Sequence, residues 1–81
     1  MDATRKRGLA RLMLRWPDRR AVLKERFVND PSVSELCEAY ETACEAITYW
    51  TKSAAEIAGQ RREEYRALAA ETEQDILRLI S

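Results

Sequence analysis

The sequence is poor in residues that break helices: its 81 residues contain two glycines and two prolines. A β-rich domain needs many tight turns, so this composition predicts an all-α chain. Histidine is absent, which removes the side chain best suited to proton transfer near neutral pH and the commonest metal ligand. Two cysteines are too few for a disulfide framework, and the reducing cytoplasm is the expected compartment. No run approaches the roughly 18–20 apolar residues of a membrane span. Basic residues interrupt the first thirty positions too often for a secretory signal. No Gly-rich phosphate loop, no nucleophile with a base beside it and no Glu-x-x-His motif occurs. The expectation is a protein that is not an enzyme, with no catalytic residue, cofactor or metal site.

What is abundant is charge, at 35% of residues with a net of zero. The balance hides an asymmetry: residues 1–30 carry nine basic and four acidic side chains, and residues 31–81 carry five basic and ten acidic. The halves are thus +5 and −5. Either they neutralise each other, within one chain or between chains, or the basic half meets an anionic partner.

Residues 3–16 read as a short basic helix. Leu9, Leu12, Met13 and Trp16 share one face, which leaves Arg7, Arg11 and Arg15 to point outward on the other. Gly8 weakens this helix. Pro17 suits the first turn of a second helix over about 17–28, with Val22, Leu23, Arg26 and Phe27 inward. Asn29 is suited to end that helix in the left-handed conformation. Asp30 and Pro31 then supply an N-cap and a first helical residue.

The third helix contains "CEAYETACEAITYW", residues 37–50, in which Cys-Glu-Ala recurs after seven residues. Seven residues advance a helix by about 10.5 Å, whereas a disulfide needs Cα atoms within about 7 Å. Cys37 and Cys44 therefore do not bridge within one helix, and the repeat records helix geometry. Val33, Leu36, Tyr40, Ala43, Ile47, Trp50, Ala54 and Ile57 step by alternating threes and fours, as the a and d positions of a heptad. Ala39, Ala46 and Ser53 flank this stripe on one side and the cysteines on the other, so the helix is expected to touch at least two neighbours. Glu38, Glu45, Lys52 and Glu56 mark its solvent side. Tyr49 projects to that side too, and covering by the N-terminal helices is favoured over a contact surface.

A fourth segment, about 60–80, gathers Tyr65, Leu68, Ala69, Thr72, Ile76, Leu79 and Ile80 on one side. Gly59 then poses a choice. A turn near 56–60 makes a helical hairpin; otherwise one coiled-coil helix runs over 31–80, with Arg61 and Asp75 intruding on its apolar frame. The hairpin is the expected arrangement.

Taken together, the reading is a single helical domain over 1–81, with a basic short-helix segment at 1–30 and an acidic hairpin at 31–81. The hairpin dimerises as a four-helix bundle whose seam includes Val33, Leu36, Tyr40, Ile47, Trp50, Tyr65, Leu68 and Ile76. Arg7, Arg11, Arg15, Arg19, Arg20 and Tyr49 form the candidate interaction surface. The expected function is a protein–protein interaction or adaptor module, with an unidentified protein as partner beside a second copy of itself. The alternative is a nucleic-acid-binding accessory protein that uses the basic segment, with Trp16 stacking on a base.

Overall fold

The computed structural model describes residues 3–81, so the first two residues of the basic segment lie outside it. Among the described residues the order is α1 (Ala3–Arg15), a 3-10 turn (Pro17–Arg19), α2 (Arg20–Asn29), α3 (Pro31–Thr51) and α4 (Ala58–Ile80). No strand occurs among them, as the composition predicts.

The helix start best marked in the sequence is also the best capped. Asp30 is extended, with φ −127° and ψ 105°, and its side chain accepts a hydrogen bond of 2.9 Å from the Ser32 N–H. Pro31 occupies the first helical position, where its missing N–H costs nothing. The residue before a proline is driven out of the helical region, and this alone terminates α2. Asn29 accordingly remains helical, and no described residue has positive φ. The left-handed ending expected at Asn29 does not form, because Pro31 already breaks the chain one residue later. Pro17 has the same effect on Trp16, whose ψ of 73° ends α1. The second helix consequently begins as a 3-10 turn.

α3 and α4 pack against each other as a hairpin, which excludes the continuous helix over 31–80. The turn, however, comes earlier than expected. It spans residues 52–57, without glycine or proline, and Gly59 lies inside α4 with ordinary helical φ. Ala54 and Ile57, assigned to the heptad stripe, fall in this turn, and Ile57 is 41% exposed. Hydroxyl side chains mark the real ending. Thr48 and Thr51 bond back to the carbonyls of Cys44 and Ile47, and Ser53 accepts from the Ala55 N–H at 3.1 Å. Such local bonds compete with continued helix.

The core draws on all four helices. Leu12, Leu23, Val33, Cys37, Ala43 and Ile76 are fully buried. Of the expected seam, Val33, Tyr40 and Ile76 are buried, while Leu36, Ile47, Trp50 and Tyr65 are half-buried. Leu68 is 44% exposed.

Gly8 is where α1 meets α3. A Cβ on Gly8 would fall 1.9 Å from the carbonyl oxygen of Cys37 and 2.7 Å from its carbonyl carbon. Its lack of a side chain is therefore the condition for close crossing, and a helix-weakening residue becomes the docking point. Gly8→Ala is expected to destabilise by about 1–3 kcal/mol through overpacking, despite the better helix propensity of alanine. At Gly59 the nearest atom to an added Cβ is Arg62 Nη2 at 3.9 Å. Gly59→Ala should be neutral or stabilising by up to about 1 kcal/mol. Urea denaturation followed by circular dichroism measures both, and equal midpoints for the two variants would contradict the close crossing.

Candidate functional site

Residues three and four apart lie on one side of a helix. On α3 this aligns Ser34, Glu38, Glu41 and Glu45; on α1 it aligns Arg7, Arg11 and Arg15 along one flank of the Gly8–Leu12 face. Because the helices cross at Gly8, the basic row comes to lie over the acidic one.

Glu41 is the centre of the junction, with its side chain 2% exposed. Arg11 Nε donates to Glu41 Oε1 at 2.5 Å, and Arg7 Nε donates to Oε2 at 3.4 Å. Arg7 also reaches Glu45 at 3.4 Å. Arg5 Nε donates to Glu38 Oε1 at 2.9 Å and Arg5 Nη1 to the Ser34 hydroxyl at 3.3 Å, while that hydroxyl donates to the Pro31 carbonyl. A second node joins α3 to α4. The Tyr40 hydroxyl donates to Glu73 Oε2 at 2.5 Å, and Arg15 Nε approaches the same oxygen at 3.0 Å. Glu73 thus ties α1, α3 and α4 together. No side-chain polar atom among the described residues is buried without a partner, so the network closes on itself.

Its ionisation follows from these contacts. Burial alone would raise the Glu41 carboxyl, but hydrogen bonds, that from Arg11 foremost, outweigh it and hold the group below its ordinary 4.5. The hydrogen bond to Glu41 likewise keeps Arg11 protonated. Burial, reinforced by the bond to Glu73, pushes the Tyr40 phenol up. Burial raises the Cys37 thiol to about 11, and it raises Cys44 against the opposing charge of Arg11. Both cysteines are free thiols and stay protonated at neutral pH, the opposite of an activated nucleophile. What the junction does chemically is hold charge in place.

Arg7, Arg11 and Arg15 do face the surface as expected, and they also carry the neutralisation of one half of the chain by the other. They remain about half exposed, at 54%, 46% and 56%, but each pairs with a hairpin carboxylate. The reason is that Gly8 and Leu12, not the whole Leu9–Met13–Trp16 set, centre the docked face; this rotates the arginine row onto α3. Leu9, Met13 and Trp16 are half-buried on the other flank. Arg19 and Arg20 are exposed, and Arg20 donates to the Met13 carbonyl at 3.2 Å. Tyr49 is 63% exposed, its ring edge-on to Trp50 at 4.9 Å, so the N-terminal helices do not cover it. It lies one helical turn beyond Glu45, the α3 residue nearest the turn that Arg7 reaches. Glu41 and Glu73 are not among the site residues the sequence suggests; the +5 and −5 halves are the signal that points toward them.

Two apolar features lie outside this junction. Ala10, Met13, Leu14, Arg20 and Lys24 line a groove of about 310 Å³ between α1 and α2, with Leu14 75% exposed at its edge. On α4, Leu68 and Leu79 are 44% and 36% exposed. No helix among the described residues is long and apolar enough to cross a membrane. No protein family, curated protein or solved structure matches the chain.

Stability should follow these ionisations. A carboxyl depressed in the fold contributes stability that is full above its unfolded value and is lost as pH falls through the folded one. Glu41 thus predicts a loss below about pH 4.5. Groups raised in the fold act oppositely: their contribution is full below the unfolded value and is lost as pH rises. Cys37, moving from 9.0 to about 11, predicts an alkaline loss beginning near pH 9, of up to about 1.4 kcal/mol per pH unit. Urea midpoints across pH measure both limbs. Glu41→Gln should flatten the acid limb, and Cys37→Ala should shrink the alkaline one, leaving the part contributed by Tyr40 and Cys44. An alkaline limb unchanged in Cys37→Ala would mean that the thiol is not buried in solution.

Proposed function

We propose that the protein is a self-associating helical interaction module, acting in the cytoplasm as a partner-binding or adaptor protein without catalysis. Its ionisable groups support this reading. The junction commits Glu41, Glu73 and the α1 arginines to holding helices together, and the two thiols lie beside it in protonated form. The observation that carries the proposal is the uncovered apolar edge of the hairpin. α1 packs on α3, and α2 touches both α3 and α4, while Leu68 and Leu79 remain exposed on α4. Scattered exposed leucines are ordinary on a protein surface. These two belong to the stripe that includes half-buried Tyr65, and so extend the core outward.

Two hairpins stacked on that edge would form a four-helix bundle with α1 and α2 outside. The Tyr49–Trp50 pair and the α1–α2 groove would then be left for a different protein. The nucleic-acid alternative rests on Arg19, Arg20 and Lys24, which stand exposed on the turn and α2. It requires binding that weakens steeply with salt, a property a gel shift at two salt concentrations measures. Light scattering at micromolar concentration is expected to give a mass of at least two chains. A monomer at every concentration would remove the self-association reading.

A further inference from the structure

Along α4, residues 61, 65, 68, 72, 75 and 79 step by alternating fours and threes, the spacing of a helix–helix seam. Tyr65, Thr72 and Leu79 form its inner row, half-buried, 4% exposed and 36% exposed respectively. Arg61, Leu68 and Asp75 form its outer row, each one heptad from the next. The row has a symmetry of its own. Leu68 is at the middle, with a cation seven residues before it and an anion seven residues after it.

We infer that this row is a twofold contact between two copies of the chain, in which the α4 helices run antiparallel and cross at Leu68. The inference rests on the self-association reading and specifies its geometry. About the twofold, Leu68 meets Leu68 of the second copy. Arg61, about 10.5 Å along the axis, meets Asp75 of the second copy, and the reciprocal pair forms on the other side. A parallel pairing would oppose arginine to arginine and aspartate to aspartate, so the charge pattern itself selects the antiparallel one.

The neighbouring charges extend the match. Arg61 Nη1 already lies 3.0 Å from Glu64 Oε1, and Arg78 pairs with Asp75. All four side chains are at least 36% exposed. Association would join these pairs into a ladder of alternating sign: Glu64 and Arg61 of one copy, then Asp75 and Arg78 of the other. Charges in a seam weaken it relative to leucine but fix its register. Arg61 and Asp75, which interrupt a single continuous coiled coil, are what an antiparallel pair requires.

The experiment combines cross-linking with a charge swap in the full chain. Leu68→Cys, placed on the twofold, is expected to form a disulfide-linked dimer under mild oxidation. The wild type, with Cys37 buried and Cys44 half-buried, should not. Arg61→Asp and Asp75→Arg should each weaken the dimer by at least about tenfold, through opposed like charges. The double swap should restore it to within about threefold, since the pair is re-formed with its signs exchanged. Circular dichroism confirms that each variant stays helical. A wild-type dimer with no Leu68→Cys cross-link and no loss in either reversal would overturn this interface while leaving self-association standing. A wild-type monomer would overturn both. Loss in the single variants without rescue in the double would place the charges in some other contact, and would also overturn it.

Discussion

The contact between Gly8 and the Cys37 carbonyl decides how the N-terminal helix meets the hairpin. A Cβ at that position would overlap the backbone of α3 at 1.9 Å, so any other residue forces the helices apart. Close crossing has two consequences. Leu12, one turn later, reaches the core and is fully buried. The guanidinium groups of Arg7 and Arg11 also come within hydrogen-bonding distance of Glu41. Glu41 is buried at this contact, and without the two guanidinium groups it would be a buried carboxylate with no partner, among the costliest features a fold can carry. The glycine and the ion pairs are thus one device: the first sets the distance that makes the second tolerable.

The value of that device lies more in register than in strength. Desolvating an ion pair often cancels its Coulomb gain, and the solvent-open arginine side reduces the gain further. A helix held only by Leu12 and its half-buried neighbours could slide or rotate against α3, since apolar contact is not directional. Ion pairs to Glu38, Glu41, Glu45 and Glu73 from successive arginines favour one docked position over its neighbours. Glu41 also ranks among the largest fully buried side chains. In a chain of 81 residues that leaves a thin apolar core. Small domains bury a low share of their surface and are correspondingly marginal. Association through the exposed edge of α4 would therefore matter for stability itself, and would make that stability rise with concentration.

How much of this was legible in the sequence differs by residue, for physical reasons. The start of α3 was readable because Asp30 and Pro31 act on their immediate neighbours. The all-α class followed from the scarcity of turn residues. The hairpin turn was misplaced toward Gly59 because it uses no glycine or proline; hydroxyl bonds from Thr48, Thr51 and Ser53 accompany a turn that tertiary packing selects. At Gly8 helix propensity accounts for an effect of about 1 kcal/mol, whereas the residue's role depends on the Cys37 backbone, 29 positions away. Glu38 and Glu45 do lie at a solvated face, 43% and 52% exposed, but heptad spacing describes one helix and does not reveal that a second arrives carrying cations. Only the charge asymmetry between the halves anticipated the junction, without its residues.

The same limit explains the two intruders on α4. Within a single helix, Arg61 and Asp75 are defects in an apolar stripe, and no local rule accounts for them. Their placement gains a physical reason when the partner is another copy of the same helix. A twofold axis converts a sequence spacing into a spatial pairing: any two residues equidistant from it meet their opposite numbers. Leu68 is the one position on the outer row that lies midway between the opposite charges, and it is also 44% exposed. The chain would then use one principle on both sides of its hairpin. On the α1 side, arginines meet glutamates across a crossing fixed by a glycine. On the α4 side, arginine would meet aspartate across a crossing centred on a leucine. In each case apolar contact supplies attraction, and charge selects one arrangement among those that attraction alone would permit.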